Sequence, residues 1–325
     1  MENIEVNTHL CILPLATLLE NIAGLYAPIL RGISLYVGPS DETGLKGASL
    51  DIESFCNTIN KVKPESIILV PQLLTALVTL REMDMVQTSQ FQMIAVGGGR
   101  ISEHLLATAE KLALPVCQGY GLSECCSVLT LNLPGASKEG SVGRALPHAE
   151  LRISDAGEIE ARGSNMQSYL GETEVQNDWY ATGDLGHMDE DGFLFITGRK
   201  KNVFITSFGR NVNPEWVESS LTQQVAVSQA LAYGESRDHN LALIWLRFPQ
   251  NADELELIIN KANKGLPDYA QVHAYIVMEE ELAESMMTSN GRIKRGLVTK
   301  LYENKIESHF KNQQALVKEK KHGVL

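Results

Sequence analysis

The sequence has little of what marks secreted, membrane-spanning or nucleic-acid-binding chains. Only 5 of 325 residues are cysteine. The number is odd, it includes the adjacent pair Cys125 and Cys126, and no metal-ligand spacing is present, so the thiols read as reduced and the compartment as cytoplasmic. Aromatic residues make up 6%, no basic cluster is interleaved with them, and the formal net charge is -12. Nucleic acid is therefore excluded as a partner; the lysine cluster Lys318 to Lys321 reads as a solvated tail. No apolar run reaches the roughly 20 residues of a membrane span, so no transmembrane segment is expected. The opening MENIEVNTHL has no basic n-region. What is left, 44% hydrophobic and 21% charged residues, supports a sizeable core in two to three compact units.

The first 120 residues alternate strand-like and helix-like runs: ESIILVP, QLLTALVTL, FQMIAV, SEHLLATAEKLAL and PVCQ. Together they predict βαβ units on a parallel sheet with flanking helices, which binds ligands at the carboxyl ends of its strands. Two glycine-rich segments fall at such ends, VGGGR (Val96 to Arg100) and QGYGLSE (Gln118 to Glu124). Glycines there let a backbone approach a flat ligand closely. From Cys125 to Thr197 the pattern changes to short alternating segments with turns such as DAGE and DEDG, which predicts a small antiparallel β-barrel. After GRKKN comes a small α+β module. PEWVESSL has proline at a first helical position, HNLALIWLRF reads as a strand, and NADELELIINKANKG opens on an Asn251 to Glu254 capping box.

The stretch DWYATGDLGHMDEDGFLFITGRKKNVFITSFGRNVNP, Asp178 to Pro214, is the most informative. Asp184 and Arg199 are separated by an alternating, glycine-punctuated segment that reads as a hairpin. Such spacing can bring a carboxylate and a guanidinium to one sheet edge, where the acid can accept from two vicinal ribose hydroxyls and the arginine donate to the same sugar.

This string resembles the corresponding region of the adenylate-forming superfamily of acyl-CoA synthetases, peptide-synthetase adenylation domains and luciferases. QGYGLSE looks like a second motif of that family, and the likeness covers about residues 10 to 310. The resemblance implies ATP, Mg2+ and CoA as cofactors, and a carboxylic acid, closest to a fatty acid, as substrate. The phosphopantetheine of an acyl carrier protein is the alternative acceptor. It places Gly97 and Gly98 beside adenine and the acyl chain, and makes Gln118, Gly119 and Gly121 part of the nucleotide site. Tyr120 would stack on adenine, Ser123 meet the α-phosphate and Glu124 hold magnesium. Asp184 and Arg199 would hold the ribose, Lys201 would be a hinge, and Gly209 would line the channel of the pantetheine thiol. Expected divisions are 1–124 for the α/β part of the large domain, 125–200 for the β-barrel and 201–325 for a mobile C-terminal α+β domain. Each motif has a plainer reading: a glycine turn beside a surface glutamate, a solvated lysine pair, a turn glycine.

Three departures from the family pattern stand out. TSNGRIKRGLVTKLYENKI, from Thr288, resembles the closing signature, but Arg292 occupies the position of its catalytic lysine, with Lys294 two residues later as a possible substitute. In an extended segment the two would point the same way; in a helix they would diverge. Thr17 stands where histidine is usual in the segment PLAH, here followed by an apolar helix carrying Leu18, Leu19, Ile22 and Leu25. No Ser/Thr/Gly-rich phosphate loop ending in Lys-Gly precedes Leu10, and DETGLKG (Asp41 to Gly47) reads as a surface loop. The expectation is a ligase that makes an acyl-adenylate and then a thioester, present as a C-terminal piece of a longer enzyme. A non-catalytic descendant that binds a nucleotide or acyl group is the competing class.

Overall fold

Five short runs of mostly apolar residues form the parallel part of one sheet in the computed structural model, which describes residues 4–46, 49–168, 178–288 and 292–311. In chain order, β1 (Thr8–Cys11) is followed by a π-helical segment (Glu20–Tyr26), α1 (Ala27–Leu30), β2 (Ser34–Val37), α2 (Ser40–Thr43), β3 (Leu45–Lys46) and β4 (Ser49–Leu50). Then come α3 (Ile52–Val62), β5 (Ser66–Leu69), α4 (Pro71–Glu82), β6 (Met93–Val96), α5 (Glu103–Lys111) and β7 (Val116–Tyr120). The sheet order is β2-β1-β5-β6-β7, all parallel, continued by the antiparallel β8 (Thr130–Leu131) and β9 (Arg144–Ala145). All four β5 residues are buried, as a strand covered on both faces requires. Phe55 and Ile59 of α3, with Leu74 and Leu77 of α4, pack in the same core without exposed surface. Asp51 caps α3 by accepting from the backbone of Glu53 and Ser54.

The predicted units β5, α4, β6, α5 and β7 match the structure. The surface-loop reading of DETGLKG does not: Ser40–Thr43 winds into α2, closes on Gly44 at φ 86°, and leads into β3. Thr43 is buried, its hydroxyl on the Pro39 carbonyl, so this segment packs against α3 rather than lying open. Gly47 lies outside the described residues. The apolar helix after PLAT forms, with an unexpected local geometry. It passes through a π turn, and its fully buried positions are Glu20 and Gly24, while Leu18, Leu19, Ile22 and Leu25 keep partial exposure.

An antiparallel sheet of four strands follows: β10 (Ala149–Ile153), β11 (Glu158–Gly163), β12 (Tyr180–Met188) and β13 (Leu194–Arg199). Its buried face, with Ile159, Ala161 and Leu194 at 0% exposure, packs with Tyr120 and Leu129 from the end of the first sheet. A hairpin of β14 (Phe204–Ile205) and β15 (Asn211–Val212) then leads to α6 (Pro214–Thr222). The last sheet joins β16 (Val227–Tyr233), β17 (Asn240–Leu246) and β18 (Val272–Met278), with α7 (Ala252–Asn263) and α8 (Arg295–Leu301) beside it. Helices cover both faces of β17, which explains its unbroken apolar run. Ala242 and Ile244 face α6 and α7, whereas Leu241, Leu243 and Trp245 face Val298 and Tyr302. The capping box of Asn251 and Glu254 forms as predicted. No described helix is long and apolar enough to cross a membrane.

Candidate active site

The two glycine turns are neighbours because their strands are. β6 and β7 run parallel with Val96 opposite Gln118, so the GGG turn leaves β6 beside the last residues of β7, where Gly119 and Tyr120 stay paired with β8. A methyl group built on Gly97 would lie 3.7 Å from the Gly119 carbonyl oxygen. Gly98 has φ 78°, a conformation that favours glycine. Gly121 is required for space: its missing Cβ would fall 1.6 Å from the Ser127 carbonyl oxygen. That carbonyl is pushed there by an unusual turn. Ser123–Cys125 make one 3-10 turn, after which Cys126 and Ser127 both take positive φ, 54° and 87°. Two successive left-handed non-glycine residues store strain that the surroundings must hold. Ser123 at the turn is exposed and Glu124 half-buried.

Asp184 and Arg199 are direct cross-strand partners on β12 and β13. A register shift creates this pairing. Met188 to Gly186 pair with Leu194 to Ile196, Thr197 is then passed over, and Leu185 and Asp184 pair with Gly198 and Arg199. A bulge moves all later side chains by one position, and so changes which residue meets Asp184. Arg199 Nε donates to Asp184 Oδ1 at 2.7 Å, and the Tyr120 hydroxyl donates to Oδ2 at 2.7 Å. The Asp184 backbone donates to Thr182 Oγ1 at 3.1 Å. The Asp184 side chain is 8% exposed and Arg199 45%, so water screens the ion pair, which contributes about 1 kcal/mol or less. Burial first, and then the Asp184 charge, push the Tyr120 phenol far above its ordinary range. It therefore stays a donor. Its hydroxyl is committed to Asp184, and its ring is largely buried against Cys125, Leu129 and Ile159.

Residues on both sides brace the pair. Glu158 Oε1 accepts from the Gly183 backbone at 3.0 Å, and Oε2 accepts from Lys200 Nζ at 2.8 Å, so one carboxylate ties the residue before Asp184 to the residue after Arg199. Asn213 Nδ2 donates to the carbonyl of the bulged Thr197 at 3.0 Å. Lys201 is exposed in the turn that follows, where Asn202 and Val203 both donate to the Arg199 carbonyl at 3.0 Å. Gly209 is exposed with φ 71°, in the turn between β14 and β15, and a Cβ there would meet no described atom within 4 Å.

Arg292 and Lys294 part company in space. Arg292 reaches the glycine turn: its Nη2 lies 3.6 Å from where a Gly99 Cβ would be. It keeps exposed surface, yet partial burial lowers its pKa, opposed by Glu215 and Asp184 and assisted by Arg199. It remains a cation throughout. Lys294 instead caps α8, and its ammonium donates to the Ser285 carbonyl at 3.0 Å. Asn290 and Gly291 lie outside the described residues.

Several contributors were not singled out from sequence. Glu215 follows the Pro214 that starts α6, accepts from Asn202 Nδ2 at 2.7 Å, and is an electrostatic neighbour of Arg100, Arg199 and Arg292. Arg100, at the end of the glycine turn, lies 5.2 Å from the centre of the Trp216 ring. Charges of one sign recurring around a single glutamate are invisible in a linear reading, because three chain segments supply them.

Comparison with known proteins bears on the family and the fold. The family described as AMP-binding enzyme matches residues 2–175, and the AMP-binding enzyme C-terminal domain matches residues 201–314. A long-chain-fatty-acid–CoA ligase of Mycobacterium bovis is 28% identical over 249 residues, 67% of this chain and 42% of that protein. Among solved structures, an anthranilate CoA ligase in complex with anthranoyl-AMP superimposes with a TM-score of 0.75 at 20% identity, over 92% of this chain and 61% of that one. The O-succinylbenzoate Coenzyme A synthetase of Bacillus subtilis, in complex with ATP and magnesium ion, gives 0.69 at 25% identity, over 89% and 61%. The chain thus spans well under two thirds of the curated relative's length. Its α/β sheet, antiparallel sheet and small C-terminal unit are the fold of these neighbours. With one family match covering more than half of its residues, the chain belongs to the AMP-binding enzymes.

Proposed function

We propose that this chain carries the nucleotide site of an ATP-dependent carboxylic acid:CoA ligase that forms an acyl-adenylate and then a thioester. The observation that supports it most is the convergence of Tyr120, Asp184 and Arg199 beside a glycine turn that Arg292 covers. In this reading each Asp184 oxygen keeps a lone pair for one ribose hydroxyl, Arg199 donates to the same sugar, and the Tyr120 ring covers adenine. Gly97, Gly98, Gln118, Gly119 and Gly121 shape the floor. The substrate carboxylate attacks the α-phosphorus of ATP in line and displaces pyrophosphate, and Arg292 and Ser123 stabilise the charge that spreads over the phosphate oxygens. Glu124, a single hard carboxylate on an exposed turn, fits a magnesium ion that takes few protein ligands and shields phosphate charge when bound. Lys294 has its ammonium already engaged and serves less directly. Rotation at Lys201 exchanges the Arg292 face for the Gly209 face, past which the CoA thiol enters.

The acid is read as a medium or long fatty acid. The partly exposed Leu18, Leu19, Ile22 and Leu25 offer an apolar wall, and Leu19 approaches Gly97. A carrier-protein pantetheine is the competing acceptor; anthranilate and 2-succinylbenzoate are the competing acids.

Pyrophosphate exchange with a panel of these acids tests the proposal, with AMP binding measured in parallel. Acid-dependent exchange supports the ligase. Exchange by a longer product of the gene but not by this chain identifies a piece of a ligase. Absence of exchange from both, with AMP binding retained, overturns the ligase reading in favour of a nucleotide-binding descendant.

A further inference from the structure

Away from the nucleotide site, three metal-ligating side chains meet in a buried cluster. His9 and Cys11 alternate along β1, so both project from the same face of the strand. Glu20 starts the π-helical segment behind them. One donor atom from each lies within 4.8 Å of the others, and all three residues are buried, Glu20 completely. Two of the donors are unsatisfied: His9 Nε2 and Glu20 Oε1 have no solvent contact and no hydrogen-bond partner. They face each other at 3.6 Å. Leaving such atoms buried without partners is unfavourable, and more so for a charge.

The surroundings are organised around these orphans. Ser66, opposite His9 on β5, can donate to the Thr8 carbonyl at 3.4 Å, leaving its oxygen to accept Nδ1–H of His9 at 2.8 Å. In that tautomer the free lone pair of the imidazole is on Nε2, facing Glu20; in the other, Ser66 donates to Nδ1 and Nε2–H faces Glu20. Glu20 Oε2 is fixed separately by the Leu13 backbone N–H at 3.2 Å. Gly24 keeps the space open, since a Cβ there would sit 2.2 Å from Glu20 Oε1 and 3.1 Å from His9 Nε2. The π turn brings Gly24 over the cluster, and such turns concentrate at functional positions.

We propose that His9, Cys11 and Glu20 form a zinc site that pins β1 to the π-helical segment. The donor set of one imidazole nitrogen, one thiolate and one carboxylate oxygen is that of zinc, which accepts all three ligand types at about 2.0–2.3 Å. The three donor atoms already lie within 4.8 Å of one another. Without metal, burial first, and then Glu20, push the Cys11 thiol up to about 12, and it donates to the Gly24 carbonyl at 3.3 Å. Binding forms the Zn–S bond and releases the thiol proton to water, so affinity rises with pH. The Ser66 contact is the outer support that orients a ligating histidine.

The chelator-stripped chain is dialysed against Zn2+ alone and then against Co2+. The expected result is one bound equivalent, a rise in melting temperature, and a thiolate-to-cobalt charge-transfer band in the near ultraviolet. Cys11→Ser should abolish that band, Ser66→Ala should weaken Zn2+ binding about 10- to 100-fold, and Cys126→Ser should change nothing, since that thiol is exposed and outside the cluster. If the wild-type chain gives no thiolate band, or binds no more Zn2+ than folded His9→Gln, the site is a metal-free His9–Glu20 pair and the proposal is overturned. The wild-type cobalt spectrum decides even if ligand variants fail to fold.

Discussion

Replacing Asp184 with asparagine removes one charge and almost no volume at the centre of the proposed ribose site. In the folded chain its two oxygens accept from Arg199 Nε and the Tyr120 hydroxyl, each at 2.7 Å. Asparagine keeps one acceptor. Its amide nitrogen then faces a donor, but the Tyr120 hydroxyl can turn to accept from it, and Arg199, 45% exposed, can be solvated. The loss of stability is therefore held to about 1–2 kcal/mol. Nucleotide affinity should suffer more specifically. A hydrogen bond to a charged acceptor is worth about 1.5–3 kcal/mol, which corresponds to AMP binding about 10- to 150-fold weaker. Titration calorimetry of wild type and Asp184→Asn measures this, with Asp189→Asn in the same hairpin as a control that leaves Kd unchanged. With 2′,3′-dideoxy-AMP, which lacks both hydroxyls, the gap between wild type and Asp184→Asn should close. Unchanged AMP affinity in a folded Asp184→Asn chain, or an undiminished gap with the dideoxy nucleotide, refutes the ribose assignment.

Further outcomes follow from the same geometry. Arg292→Ala should lower pyrophosphate exchange about 100-fold in an active enzyme, while Lys294→Ala stays near wild type because its ammonium is spent on Ser285; the reverse order would show that the wrong cation was chosen. Gly121→Ala must displace backbone, since its Cβ would fall 1.6 Å from the Ser127 carbonyl oxygen, and we expect about 3 kcal/mol of destabilisation, the upper end of the usual range, visible as a large fall in melting temperature; an unchanged melting curve contradicts the close approach to Ser127. Lys200 chiefly, with the Gly183 N–H, holds the Glu158 carboxyl below its ordinary 4.5. A depressed folded value means a contribution that is complete above the unfolded range and lost as pH falls through the folded value. The stability lead of wild type over Glu158→Gln, under about 1 kcal/mol with Lys200 half exposed, should therefore vanish in acid, and a lead that grows in acid would have the wrong sign. Gly209→Leu should spare adenylation in an active enzyme and abolish thioester formation, at a folding cost of about 1 kcal/mol for its positive φ; equal loss of both half-reactions removes the channel role.

Legibility in the sequence tracked the range of the physics. The strands ending at Val96 and Tyr120 showed as apolar runs punctuated by glycine, and the capping box at Asn251 is a contact between residues three apart. The hairpin around DEDG was readable for the same reason. Its register was not, because the bulge at Thr197 is held from outside by Asn213. In the helix after PLAT, the π turn that buries Glu20 and Gly24 was not legible either, because a 3.6-residue period carries no sign of it. β1 and β2 carried no distinct pattern, being short and mixed in polarity, whereas α3 was overlooked although its apolar positions recur at helical spacing behind the Asp51 cap.

By itself the sequence determined an acidic α/β chain with glycine turns at parallel strand ends, a following antiparallel sheet and a small α+β module, because periodicity and turn chemistry act within a few residues. Tertiary structure alone decided that Arg292, and not Lys294, lies on the glycine turn, that Tyr120 shares a carboxylate with Arg199, and that His9, Cys11 and Glu20 converge. Those contacts join segments up to some hundreds of residues apart, and only the packed sheets can set the distances on which their electrostatics depend.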